Sequence, residues 1–363
     1  MVVRPRDVSP PTRPAPSASR THLVSWALVV GITALVAVLS FSDTRKLWET
    51  ASTLNGWALL IPFGGALASY VFMALSYQGI ARAAGATMSF WEMLKITFVA
   101  NTVNYIVTTG GLSGFAVRMY FFIRSAIAPG TAVIISMLQT FVTNVVLLFF
   151  VVLGFSYLLA AHELRGFALV ATVVLLAVFV LTALLFVLLL FHRALRRRTL
   201  FLGAELAHWF LERFVPRHSP RRVHIWRFQR NLNRGLEFML ARKRHMVGPV
   251  LWIVVDWLVT LLILWGAFVA VRHPIPFSFV IVGFAVGIVL SMVSLVPGGL
   301  GIMEGSMAAV FTGLSVPFET AVVAVLIFRV SYYMMPMITS VFFFRGMLVQ
   351  GAHAPEALKE AGA

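Results

Sequence analysis

Pro297-Gly298-Gly299-Leu300-Gly301-Ile302-Met303-Glu304-Gly305 interrupts a run of apolar residues that would otherwise be long enough to cross a bilayer. A proline and three glycines within five positions cannot continue a helix comfortably. The backbone N–H and C=O groups at such a break lose their intrahelical partners. Lipid supplies none, so broken backbone persists at membrane depth only inside protein or beside water. Glu304 follows within a turn, and a carboxylate at that depth marks a functional site. Two readings stand: a re-entrant turn inside the membrane, or an extramembrane loop between two spans with Glu304 in water.

Working outward, the same word occurs earlier. Gly110-Gly111-Leu112-Ser113-Gly114 matches Gly298-Gly299-Leu300-Gly301 at an offset of 188 residues. At that offset the apolar segment 57–81 falls on 245–269, 91–108 falls on 279–296, and 131–159 falls on 319–347. Three hydropathy segments and one motif agreeing at a single offset read as an internal repeat with a glycine break at its centre. Arg118 lies four residues after Gly114, so the first break also carries a charge.

Composition bounds the rest. Hydrophobic residues make up 60% of the 363, and only 12% are charged, about half the usual ~25%. The chain reads as an all-α, polytopic membrane helix bundle. Without cysteine there are no disulfides, thiolate metal sites or cysteine nucleophiles. The net charge of +16 belongs to cytoplasmic loops and anionic headgroups rather than to nucleic acid.

The chain in order gives six spans and two hairpins. Residues 1–21 are a Pro-, Ser- and Arg-rich segment, expected to be a disordered cytoplasmic tail. Spans are expected over 22–41, 57–81, 131–160, 167–191, 247–271 and 318–345, with glycine-broken hairpins over 90–127 and 277–316. The 22–345 region forms one transmembrane domain, and 346–363 a short cytoplasmic tail. Segment 192–246 holds fourteen of the 29 Lys and Arg residues against three acids. That asymmetry marks a cytoplasmic loop. Arg196, Arg197 and Arg198 open it; they attract anionic lipid headgroups or serve as a topology anchor. On this topology 57–81 runs inward and 247–271 outward, so the halves are inverted, an architecture shared by many secondary transporters.

Six charges lie in or beside apolar segments: Lys95, Arg118, Arg124, Asp256, Glu304 and Arg329. Lys95 and Arg124 sit near segment ends, where long side chains snorkel. Arg118, Asp256, Glu304 and Arg329 are expected to bind substrate, together with the break glycines Gly110, Gly111, Gly298, Gly299 and Gly301. The competing reading for each charge is a structural ion pair. Asn101, Asn104, Gln139 and Asn144 either line a polar path or bond between helices. No metal, nucleotide or hydrolase motif is present, and no cofactor is expected.

The residues from about 22 to 345 resemble the membrane domain of the lysylphosphatidylglycerol synthase/flippase family. The most specific part is Pro297-Gly298-Gly299-Leu300-Gly301 with Glu304, which is similar to the family's PGGLG-x-x-E signature. The family's earlier Gly-Glu-x-x-Arg motif is matched by Gly114 and Arg118, but Phe115 stands where its glutamate is expected. The short stretch after residue 345 is not expected to hold the soluble aminoacyltransferase domain found in fused members of the family. The resemblance therefore implies a flippase-like protein of the cell inner membrane that moves a phospholipid, anionic by preference, without synthesising it. A membrane transferase using Glu304 or Asp256 as base, and a non-catalytic partner of a lipid-modifying enzyme, are the alternatives. A homo-oligomer is compatible with the sequence; nucleic acid is not an expected partner.

The topology is checked by introducing single cysteines into this cysteine-free chain. Probes placed in 192–246 are expected to stay unlabelled by impermeant reagents outside intact cells.

Overall fold

The structure, a computed structural model, describes residues 43–106, 112–160, 243–294 and 296–352, with Ser40 and scattered positions between 173 and 237. Among the described residues every regular element is helical: α1 (Thr44–Ser52), α2 (Leu60–Ala83), α3 (Phe90–Ile106), α4 (Leu112–Arg124), α5 (Pro129–Ala160), α6 (Val247–Ala270), α7 (Phe277–Val293), α8 (Ile302–Gly313), α9 (Phe318–Arg329) and α10 (Met335–Ala352). A π segment, Val330–Met334, joins α9 to α10. Short 3₁₀ turns precede α6 and occupy Pro297–Gly299. This is the outcome lipid allows, because a helix satisfies its backbone internally.

Four of these helices are long and apolar enough to span a bilayer: Leu60–Ala83, Pro129–Leu158, Arg244–Ala270 and Phe318–Phe343. They coincide with four of the six expected spans. The other two, 22–41 and 167–191, lie outside the described residues apart from isolated helical positions. By contrast α4 has 13 residues and α8 has 12. At ~1.5 Å per residue these rise only ~20 Å, short of the ~30 Å hydrocarbon layer. Between the expected spans 22–41 and 57–81 lies a short helix: Asp43 caps α1 by accepting from the amides of Arg45 and Lys46.

The elements recur in the same order at the offset already read from the glycine motifs. α2 corresponds to α6, α3 to α7, α4 to α8, and α5 to the α9–α10 helix. The recurrence extends to how helices end. After α2 the amide of Ala86 reaches the carbonyl of Ala81; after α6 that of His273 reaches Phe268. After α4 Ile127 reaches Phe122; after α8 Val316 reaches Phe311. Each turn puts one residue in the left-handed region, namely Gly85, Arg272, Ala126 and Ser315, as a Schellman cap requires.

The halves meet along α2 and α6. Ile61 lies against Gly266, Gly65 against Ile263, and Gly79 against Pro249. Early residues of one helix meet late residues of the other, so the two run antiparallel. Small residues let the backbones approach in a medium where the hydrophobic effect does not drive helices together. Each half also reaches into the other: α3 packs on α10 and α7 on α5. Phe98 meets Phe343 edge-on, and Tyr157 meets Phe279. One apolar cluster gathers Tyr70, Met93, Ile96, Phe122 and Ile135; a second gathers Phe150, Trp257, Phe268, Phe311 and Phe328.

A bulky side chain on this seam must push α2 and α6 apart. A Cβ on Gly266 would come within 2.5 Å of Ile61, whereas one on Gly64 would meet nothing. Gly266→Leu is therefore expected to cost about 1–3 kcal/mol, with Gly64→Leu near neutral, as measured by thermal unfolding in detergent.

Candidate functional site

The second break builds the best-defined cluster. Gly298, Gly299 and Gly301 all have positive φ, at 58°, 65° and 76°. Only glycine holds such a sequence of turns cheaply. Gly299 also lacks room, because a Cβ there would fall on the Ser291 side chain. Chain reversal over so few residues lets α8 start at once, with Gly301 as its N-cap and Glu304 in its first turn, where helix-end partial charge favours an anion.

Arg329, the last residue of α9, answers this turn. Its Nε donates to Glu304 Oε1 at 2.6 Å, and its Nη2 donates to the Gly298 carbonyl at 2.7 Å. Its guanidinium lies 4.2 Å from the centre of the Tyr333 ring. Both charged residues are buried, Glu304 at 4% and Arg329 at 7% exposure. For these two residues the structure bears out the ion-pair reading. The pair is not saturated: Glu304 Oε2 is buried without a hydrogen-bond partner.

Arg118 sits in a separate place. On α4 it donates through Nη2 to Asn101 Oδ1 on α3, and it lies 4.8 Å over the Tyr77 ring of α2. It is buried, its Nε has no hydrogen-bond partner, and no carboxylate among the described residues pairs with it. Gly114 allows this arrangement, because a Cβ there would strike Asn104 and the Ala100 carbonyl of α3. Asp256, on α6, accepts a hydrogen bond from the Ser69 hydroxyl of α2 and, among the described residues, bonds to no cation.

No described hydrogen bond or ion pair joins Arg118 to Glu304, but a line of contacts runs between them. Asn101 and Tyr105 lie one turn apart on α3. Tyr105 meets Tyr333 with ring centres 4.7 Å apart, and Tyr333 carries Arg329. The Tyr105 carbonyl stands 3.6 Å from where a Cβ on Gly298 would be. The end of α3 thus touches the second break.

The other expected residues are distributed as follows. Arg124 is exposed and bonds Tyr120 within its helix; Lys95 is half-buried. Gln139 accepts from Ser76, tying α5 to α2, while Asn144 bonds back to Thr140 on its own helix. Gly110, Gly111, Arg196 and Arg197 lie outside the described residues, and Arg198 is exposed. Tyr105 and Tyr333 were not singled out from the sequence. A usable signal existed for Tyr333, which follows Arg329 by four residues.

A model of the family described as the lysylphosphatidylglycerol synthase TM region matches residues 24–340. The chain belongs to this family. It is also similar to a UPF0104 membrane protein of Archaeoglobus fulgidus, 23% identical over 320 residues, which cover 84% of this chain and 91% of the relative. The match and the four apolar spans make it a multi-pass membrane protein with a lipid-related role, as expected for a member of this family.

The buried pair should behave as one unit. Arg329→Met strands Glu304 in an apolar interior and is expected to cost about 3–5 kcal/mol; the double variant Glu304→Leu with Arg329→Met should recover part of that loss. A double-mutant cycle on thermal unfolding measures the coupling.

Proposed function

We propose that the chain moves a phospholipid or lipid-linked substrate between leaflets. The observation that carries this reading is Arg118: a buried guanidinium without a counter-carboxylate among the described residues. An uncompensated cation at membrane depth is costly unless an anion joins it. A lipid phosphate supplies that anion while its chains remain in lipid. Glu304 and Arg329 neutralise each other, so Arg118 is the cation left for phosphate, and Glu304 Oε2 is the acceptor left for a cationic or hydroxyl group on the same headgroup.

The path through Asn101, Tyr105 and Tyr333 supports one shared site between the two breaks. The antiparallel course of α2 and α6 supports an inverted repeat. In that arrangement the short helices α4 and α8 are the returning arms of two re-entrant hairpins, one opening to each side. Both termini and the basic stretch 192–246 then lie on the cytoplasmic side of the cell membrane, where Arg196, Arg197 and Arg198 hold anionic lipid near the entrance.

Purified protein in vesicles carrying fluorescent phosphatidylglycerol tests the reading. A change in lipid sidedness without covalent change supports it; covalent change favours a transferase, and neither outcome leaves a partner role. Arg118→Gln and Glu304→Gln are each expected to slow translocation roughly 10- to 100-fold, the loss of a charge-assisted contact of about 1.5–3 kcal/mol, while the protein still inserts and folds.

A further inference from the structure

We propose that Asp256 is a proton-binding site whose occupancy is coupled to movement of the two halves. The coupling rests on the transport reading above; the proton site itself does not.

Asp256 lies in the interior of the apolar helix α6 and is 4% exposed. Its hydrogen-bond partner is the neutral Ser69 hydroxyl. The contrast with Glu304 is direct: that carboxylate has Arg329 at 2.6 Å, while no cation among the described residues stands against Asp256. An ionised carboxylate without a counter-charge is too costly to keep dry. The neutral acid is not, and it both donates and accepts hydrogen bonds.

The surroundings leave proton exchange as the way to neutralise it. Tyr105 from α3 and Tyr332 from the π segment are the titratable groups that face it, and neither brings positive charge. Thr260, one turn along α6, spends its hydroxyl on the Asp256 carbonyl. Arg329, on α9, is committed to Glu304 and Gly298. The neighbouring helix α7 has no titratable residue, and Tyr157 of α5 lies against Phe279.

Position supplies the coupling. Ser69 and Asp256 are 187 residues apart, one short of the repeat offset, so they lie at adjacent rather than identical places in the two halves. Their bond crosses the antiparallel α2–α6 seam. With the seam closed the carboxyl is dry and holds its proton. If the halves rock and water enters, it releases that proton as the carboxylate. The chemistry is a proton taken from water on one face and returned on the other, with no redox partner.

The full chain in phosphatidylcholine vesicles, with fluorescent phosphatidylglycerol as probe and pH gradients of either sign, tests the coupling. The wild-type rate is expected to differ severalfold between the two gradients, and Asp256→Asn to bring that ratio to one. Infrared difference spectra between acid and alkaline buffer test the site without transport. They should show a protonated-carboxyl band that is absent in Asp256→Asn and displaced in Ser69→Ala, which keeps the acid and removes its partner. Absence of the band in wild type, or its persistence in Asp256→Asn, overturns the site. An unchanged gradient response in Asp256→Asn overturns the coupling. A wild-type protein that moves no lipid yet keeps the Asp256 band would defeat the transport reading and leave the proton site standing.

Discussion

The hydrogen bond from Arg329 to the Gly298 carbonyl is the contact on which the second break depends. A chain that breaks its helix between apolar segments exposes backbone acceptors that lipid cannot satisfy. Arg329 fills one of them and uses the same planar group to neutralise Glu304. The guanidinium suits this because its donors lie in a fixed fork and its face stacks on an aromatic ring, here Tyr333. A lysine could hold the carboxylate or the carbonyl but not that whole set. The π segment begins directly after Arg329, in keeping with the tendency of such segments to occur at functional sites. It sets Tyr333 under the charge while Tyr332 stacks on Phe328.

The two halves agree in backbone and differ in charge. Helix order and the hydrogen bonds at four helix ends recur between them. The charged residues do not. The position 188 before Glu304 is Ala116, and the position 188 before Arg329 is Phe141. The first half instead carries Arg118, held by a neutral amide and a ring. Charge is therefore distributed asymmetrically over a backbone whose helix order recurs. Phe115, where the family motif has glutamate, deepens the asymmetry by removing the acid nearest Arg118 in sequence.

Much of the fold was legible because lipid makes hydropathy a strong signal. The four spans among the described residues and the second break followed from apolar lengths and glycine spacing. The pairing of charges was less legible. Glu304 and Arg329 are 25 residues apart, and their meeting depends on the tight turn from α8 into α9, which periodicity does not report. Ser69 was invisible as a partner for Asp256, since a serine in an apolar helix is common; the repeat offset was the available clue. The helix over Thr44–Ser52 was hidden by its balanced charges, although Asp43 ahead of Arg45 and Lys46 is a capping signal.

Three buried polar clusters tie the bundle at different places. The Glu304–Arg329 pair sits within the second half and ties α8 to α9. Arg118 with Asn101 likewise ties α4 to α3 within the first. Asp256 with Ser69 bridges the two halves directly. The glycines at Gly65, Gly79 and Gly266 leave the seam close-packed, with Phe72 stacked on Trp252 and Ser76 donating to the Pro249 carbonyl across it. The halves are also joined away from this seam, because α3 packs on α10 and α7 on α5. The Ser69–Asp256 and Ser76–Pro249 hydrogen bonds are thus polar ties between halves that apolar packing already holds together, and the Tyr105–Tyr333 contact joins the end of α3 to the π segment.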